Sequence, residues 1–174
     1  MSLEHLYAPW RKQYFKDKPQ GCVFCAISRT FDDAKAQAKN DEEHFILFRA
    51  KHCFGVMNLY PYVLGEFMII PYTHIDNIES LDSKTWQEMS ALVRLGVGVL
   101  KNTLNAQGVN IGMNLGACAG AGIAEHVHYH LVPRFGRDTN FITTIGGARV
   151  HGVPFINEYI KLKAAFGKLD IKGL

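Results

Sequence analysis

The 174-residue chain lacks any run of about 18 apolar residues, so no segment of it reads as a membrane-spanning helix. Its start, Met1 to Trp10, lacks the basic-then-apolar order of a secretory leader, and a cytoplasmic protein with no membrane partner is expected. Charge of one sign is also scarce: 19 Lys and Arg stand against 16 Asp and Glu, a net +3. The densest charged stretch, Asp32 to Glu43, mixes both signs. A polynucleotide needs a clustered positive surface, so none is expected as partner, whereas a small anionic ligand depends on local charge and stays open. Four cysteines are too few for a disulfide scaffold in a chain of this length. Neither GxxxxGK[ST] nor GxGxxG occurs, and internal repeats and low-complexity tracts are absent.

What is present fits one globular domain over 1–174, with 1–20 as an N-terminal arm and 135–174 as a C-terminal extension. Trp10, Tyr14 and Phe15 among positive charges suggest arm aromatics that dock on the body. The body begins at Cys22 to Ile27, and Phe31 to Glu43 is polar enough to be a loop or short helix. Strand composition marks Phe45 to Arg49, Cys53 to Leu59 and Glu66 to Pro71, with Tyr60-Pro61-Tyr62 and Gly65 as the turn joining antiparallel neighbours. Val109 to Leu115 and Glu125 to Val132 make a fourth and a fifth strand. Between the third and fourth, Ser80 to Asn105 reads as a long helix: Trp86, Met89, Val93, Val97 and Leu100 recur on one face, and Asp82 or Ser83 can cap it. Gly96 and Gly98 weaken that helix by about 1 kcal/mol each relative to Ala, which close packing on a sheet would explain. Pro154 to Phe166 carries a second helical pattern.

The most informative segment is His126-Val127-His128-Tyr129-His130. Alternate residues of an extended chain share a face, so three imidazoles should line one surface. Imidazole is a nucleophile, a proton carrier near neutrality and a metal ligand, so the pattern points to catalysis, to zinc, or to both; separately satisfied histidines are the structural alternative. Cys22-Val23-Phe24-Cys25 offers two thiolates for a tetrahedral metal, with a redox pair or unliganded thiols as alternatives. Gly116 to Gly122 holds three glycines and three alanines in seven residues, a turn that could bring main-chain amides close to a phosphate. With Asn114 before it and Arg134 after the histidines, a phosphoryl target suits the surroundings better than an acyl one.

HVHYHLV, GCVFC, Pro71-Tyr72-Thr73-His74 and Gly112-Met113-Asn114-Leu115-Gly116 occur in an order that resembles the histidine triad (HIT) superfamily over about Gly21 to Arg134. The resemblance implies an α+β fold with a five-stranded antiparallel sheet, a long packed helix and a homodimer. It implies nucleotidyl transfer, with His128 as nucleophile and His130 holding the phosphate. It implies a structural zinc on Cys22, Cys25, His74 and His126, although His74 could instead cap local backbone. Asn58 corresponds to the residue that holds ribose hydroxyls, and Asn114 to a polar position at the phosphate; each could instead serve its own turn. Many members carry glutamine and Ser or Thr where this chain has Gly122 and Ile123, so phosphate contact at Gly120, Gly122 and Ile123 would fall to main-chain amides. Trp10-Arg11 and the run from Pro133 through Arg137 to Phe141 look like a bacterial branch similar to diadenosine tetraphosphate phosphorylases. Adenine nucleotides or dinucleoside polyphosphates are the implied ligands, with inorganic phosphate or water as acceptor; a nucleoside phosphoramidate hydrolase or a nucleotide-binding regulator is the alternative. Arg134 and Arg137 would contact phosphate or a second subunit, or be solvated.

Overall fold

The computed structural model describes residues 21–136, 145, 153–171 and 173. The arm aromatics, Arg137 and the run to Phe141 lie outside the described residues. In chain order the elements are α1 (Val23–Ile27), α2 (Ala34–Glu43), β1 (Ile46–Arg49), β2 (Cys53–Met57), β3 (Phe67–Pro71), α3 (Ser83–Leu104), β4 (Gly108–Gly112), β5 (Tyr129–Arg134) and α4 (Phe155–Phe166). The strands form one five-stranded antiparallel sheet in the order β1-β2-β3-β5-β4, the α+β architecture expected.

Period-two alternation sorts the strand residues into two layers. Cys53, Met57, Phe67, Ile69 and Leu131 join Met89, Leu92, Leu100, Leu162 and Phe166 in the larger core, under α3 and α4. Phe54, Val56, Met68 and Ile70 point the other way and pack with Phe24 of α1. His130 is paired with Met68 in register, so it belongs to this second face, opposite the long helix.

The helix α3 starts at Asp82, whose carboxylate accepts from the amides of Lys84 and Thr85, and ends on Asn105 in the left-handed region. Its buried stripe includes Met89, Val93 and Leu100 as expected, with Leu92, Gly96 and Val99 completing it; Trp86 and Val97 lie at its margin. The polar 31–43 stretch resolves into a ten-residue helix capped by Asp33. Two strand boundaries differ from expectation. The fourth strand is Gly108–Gly112, so Asn114 lies beyond it. The fifth is Tyr129–Arg134, so His126 and His128 precede the ladder. The amide of Val127 bonds the Ile75 carbonyl, which holds this stretch against the chain after β3. Among the described residues no helix is long and apolar enough to cross a membrane.

Candidate active site and zinc centre

Helix α1 projects Cys22 and Cys25 toward the segments that follow β3 and precede β5. Cys22 Sγ lies 3.3 Å from His126 Nδ1, Cys25 Sγ 3.3 Å from His74 Nδ1 and 3.7 Å from His126 Nδ1. The four donor atoms all lie within 4.8 Å of one another. A tetrahedral zinc with ordinary bond lengths holds sulfur and nitrogen donors about 3.5 Å apart, which these separations bracket. Burial and the neighbouring Cys22 thiol both push the Cys25 thiol up, the situation a divalent cation relieves. His126 Nε2 donates to the Pro71 carbonyl at 2.9 Å, so Nδ1 is left with its lone pair toward the sulfurs. Burial, the largest influence, lowers the His126 pKa and favours the neutral ring that binds metal. Two Cys and two His fill every position of a tetrahedral ion, so the centre is structural.

His128 is buried beside this centre. Its Nδ1 donates to the carbonyl of His126 at 2.8 Å, which fixes the tautomer and leaves a lone pair on Nε2. Burial first, and then repulsion by the neighbouring histidines, lowers its pKa to about 4, so the ring is neutral at pH 7. The Phe24 ring packs edge-to-face with both His128 and His126, at centroid distances of 5.0 and 5.6 Å. His130 follows at 4.9 Å from His128, and its Nδ1 donates to Glu66 Oε1 at 2.9 Å. The three imidazoles therefore do share one side of the chain, although only His130 sits in the sheet.

The other expected ligand contacts are spread around this core. Asn58, just past β2, donates through Nδ2 to Glu66 Oε1 at 2.9 Å and accepts from the Tyr60 amide at 3.0 Å. Asn114 is half-buried two residues past Gly112, which pairs with His130. The glycine-rich turn folds around a single 3-10 turn, Ala117–Ala119, with Gly116 and Gly120 at positive φ. The Gly120 amide donates to the Ala117 carbonyl, whereas Ile123 packs on the Phe24 layer. Gly122 lies between them in a bend. Arg134 ends β5, about 13 Å along the strand from His130, and its guanidinium donates to Asn110 Oδ1. Cys53 is buried with its thiol donating to Glu88, and Cys118 is exposed in the glycine-rich turn; neither belongs to the cluster.

Sequence reasoning passed over two residues of this site. Phe24, between the cysteines, wedges against the nucleophile candidate. Glu66 is fully buried at the head of β3. Its signal was a lone carboxylate leading an otherwise apolar strand, Phe67-Met68-Ile69-Ile70, where burial demands a partner.

Comparison with known proteins agrees with this geometry. The HIT domain profile matches residues 39–137. A Mycobacterium tuberculosis protein named AP-4-A phosphorylase is 36% identical over 156 residues, covering 85% of this chain and 76% of that protein. An uncharacterized HIT-like protein of Mycoplasma genitalium is 30% identical over 120 residues, covering 69% of this chain and 77% of that protein. Among solved structures, a Zn-bound histidine triad family protein from Mycobacterium smegmatis superposes with a TM-score of 0.65 at 26% identity, covering 86% of this chain and 95% of that one.

Proposed function

Because the chain belongs to the HIT family, we propose that it cleaves dinucleoside polyphosphates such as diadenosine tetraphosphate through a covalent nucleotidyl-His128 intermediate, with phosphate or water as acceptor. The observation that carries the reading is His128 itself: a buried, neutral imidazole whose Nδ1 is tied to a carbonyl, leaving Nε2 as the nucleophilic atom. Its lone pair attacks the α-phosphorus, the bond to the bridging oxygen breaks, and ATP departs from diadenosine tetraphosphate. His130 and the amides of Gly122 and Ile123 stabilise charge on the phosphoryl oxygens, Asn114 contacts the same group, and Asn58 binds the ribose; the Gly120 amide, spent on the Ala117 carbonyl, shapes the turn instead. Arg134 is assigned to the outer part of the polyphosphate. Phosphate then attacks the phosphorus to release ADP, or water releases AMP, and either restores His128. Zinc on Cys22, Cys25, His74 and His126 ties α1 to the segment before β5, a structural task.

The similarity to the mycobacterial AP-4-A phosphorylase supports the phosphorolytic form. A homodimer is part of the same proposal: β4 is an edge strand, and Ile111 on it and Leu115 after it are exposed. Incubation with diadenosine tetraphosphate, with and without inorganic phosphate, tests the acceptor: ADP that appears only with phosphate is expected, and AMP in both identifies water. The His128→Ala variant should bind AMP and turn nothing over. Full turnover by that variant sinks the covalent mechanism. Release of AMP from adenosine phosphoramidate, without any product from diadenosine tetraphosphate, would move the substrate to the phosphoramidates.

A further inference from the structure

Glu66 is 0% exposed, and its carboxylate collects three N–H donors. Oε1 accepts from His130 Nδ1 and from Asn58 Nδ2, each at 2.9 Å, and Oε2 accepts from the Tyr62 amide at 2.7 Å. Among the described residues its ion pair is with His130 and with no Lys or Arg. A core position at the head of an apolar strand gains nothing from a carboxylate, since an apolar side chain of similar size is usually as stable or more so. Glu88 illustrates a structural use of such a group in the same chain. It too is buried, but it serves the amides of Lys51 and His52 in the β1-β2 turn and the Cys53 thiol. Two of the three donors on Glu66, by contrast, are side chains of the candidate site, from the loop after β2 and from β5.

We propose that Glu66 is a positioning residue for the nucleotidyl transfer described above, coupling the nucleoside contact Asn58 to the phosphate contact His130 through one shared oxygen. The proposal rests on that reading of the site. By accepting from Nδ1, Glu66 makes that nitrogen the donor toward the interior and turns Nε2 of His130 to the opposite edge of the ring, where the phosphoryl group is handled. The same oxygen holds the Asn58 amide. Asn58 Oδ1 accepts from Tyr60, so one N–H and one lone pair of the amide are left for a ribose hydroxyl. The Oε2 contact secures the 60–65 turn, whose Tyr62 ring stands 6.5 Å from His130. Nucleoside recognition and phosphate orientation are thereby set by a single side chain that touches neither.

Glu66→Gln tests this. An amide has one acceptor oxygen for donors that now occupy two, so either the His130 and Asn58 pair or the Tyr62 amide loses its partner. The expected result is a fall in kcat of about a hundredfold with a smaller rise in KM, because misplacing a phosphate-contacting ring by about 1 Å costs that much. In a His130→Asn background the same change should cost less than about twofold, since residues that act as a unit are not additive. Additive effects, or an unchanged kcat, overturn the proposal. A second readout needs neither turnover nor the variant: nitrogen-proton correlation spectra of the native zinc-loaded protein bound to AMP should show His130 protonated at Nδ1. A ring protonated at Nε2 alone overturns the assignment even if Glu66→Gln fails to fold. If the wild type turns over no dinucleoside polyphosphate, the reading of the function fails, and the His130 spectrum still decides what Glu66 does.

Discussion

Gly96 and Gly98 lie two positions apart in the C-terminal half of α3, on different faces of the helix, and invite the same substitution with opposite expected results. A Cβ added at Gly96 would lie 2.7 Å from Phe67 Cζ and 2.8 Å from Leu131 Cδ2. Carbon atoms in a packed core rest about 3.5 to 4.0 Å apart, so helix and sheet would have to separate by about 1 Å. Both neighbours are fully buried in the core between helix and sheet. Overpacking of this kind costs about 1 to 3 kcal/mol, and the better helix propensity of Ala returns about 1 kcal/mol, which leaves Gly96→Ala about 1 kcal/mol less stable. At Gly98 an added Cβ meets nothing within 4 Å, and Gly98→Ala keeps the whole propensity gain of about 1 kcal/mol. The two Tm shifts should be about 2 to 4 °C in opposite directions for a chain of this size. Denaturant titration of the zinc-loaded protein measures both free energies directly. Phe67 and Leu131 are register partners adjacent in sequence to Glu66 and His130, so Gly96→Ala should also slow turnover while Gly98→Ala leaves it unchanged. A Gly96→Ala protein as stable as wild type would refute the packing argument, and so would a destabilised Gly98→Ala protein.

Acid should unfold the protein partly through His128. Its folded pKa of about 4 lies below the unfolded 6.5, so the unfolded chain takes the proton first and stability falls from pH 6.5 down to 4. Burial of the neutral ring makes that loss about 3 kcal/mol, and His128→Asn, titrated with denaturant beside wild type at pH 7.5 and pH 4.5, should show a loss smaller by most of that amount. Chelation, which removes the zinc, and Cys25→Ser, which leaves it three ligands, should each lower Tm by several degrees; mass spectrometry under native conditions should read one zinc per chain before chelation and none after. Phe24→Ala opens a cavity between α1 and the sheet and should cost about 3 to 5 kcal/mol, with kcat reduced in whatever fraction remains folded, since the ring packs on His128.

Local signals in the chain were sufficient for most of the fold. The three-and-four spacing of Met89, Val93 and Leu100 places α3, and of the two cap candidates, Asp82 and Ser83, the structure uses Asp82, whose carboxylate accepts from the amides of Lys84 and Thr85. The close approach inferred for both glycines holds for Gly96 alone, because contact on one helical face cannot reach a residue two positions away. The triad alternation predicts a strand from Glu125. An extended chain places alternate residues on one side whether or not it is paired, so the pattern survives while the ladder begins only at Tyr129. Glu66 and His130 are separated by 64 positions, and periodicity carries no information about a pair joined only by the register of β3 with β5.

That register explains why the site holds two kinds of histidine in five residues. His126 spends its ring on the Cys22, Cys25 and His74 cluster and on the Pro71 carbonyl, and it spends its own carbonyl on His128 Nδ1. Any displacement of the cluster therefore moves the acceptor that sets the His128 tautomer. His130 lies in the ladder, oriented by Glu66 from the neighbouring strand, and is insulated from such a displacement. The two ends of the triad are anchored independently, one to the metal centre and one to the sheet, and among the described residues the His128 ring is held between them by one hydrogen bond and by ring contacts with Phe24 and His130. Loss of zinc should accordingly disturb the His128 ring signals before those of His130, and the reverse order would mean that the sheet, not the cluster, positions the nucleophile.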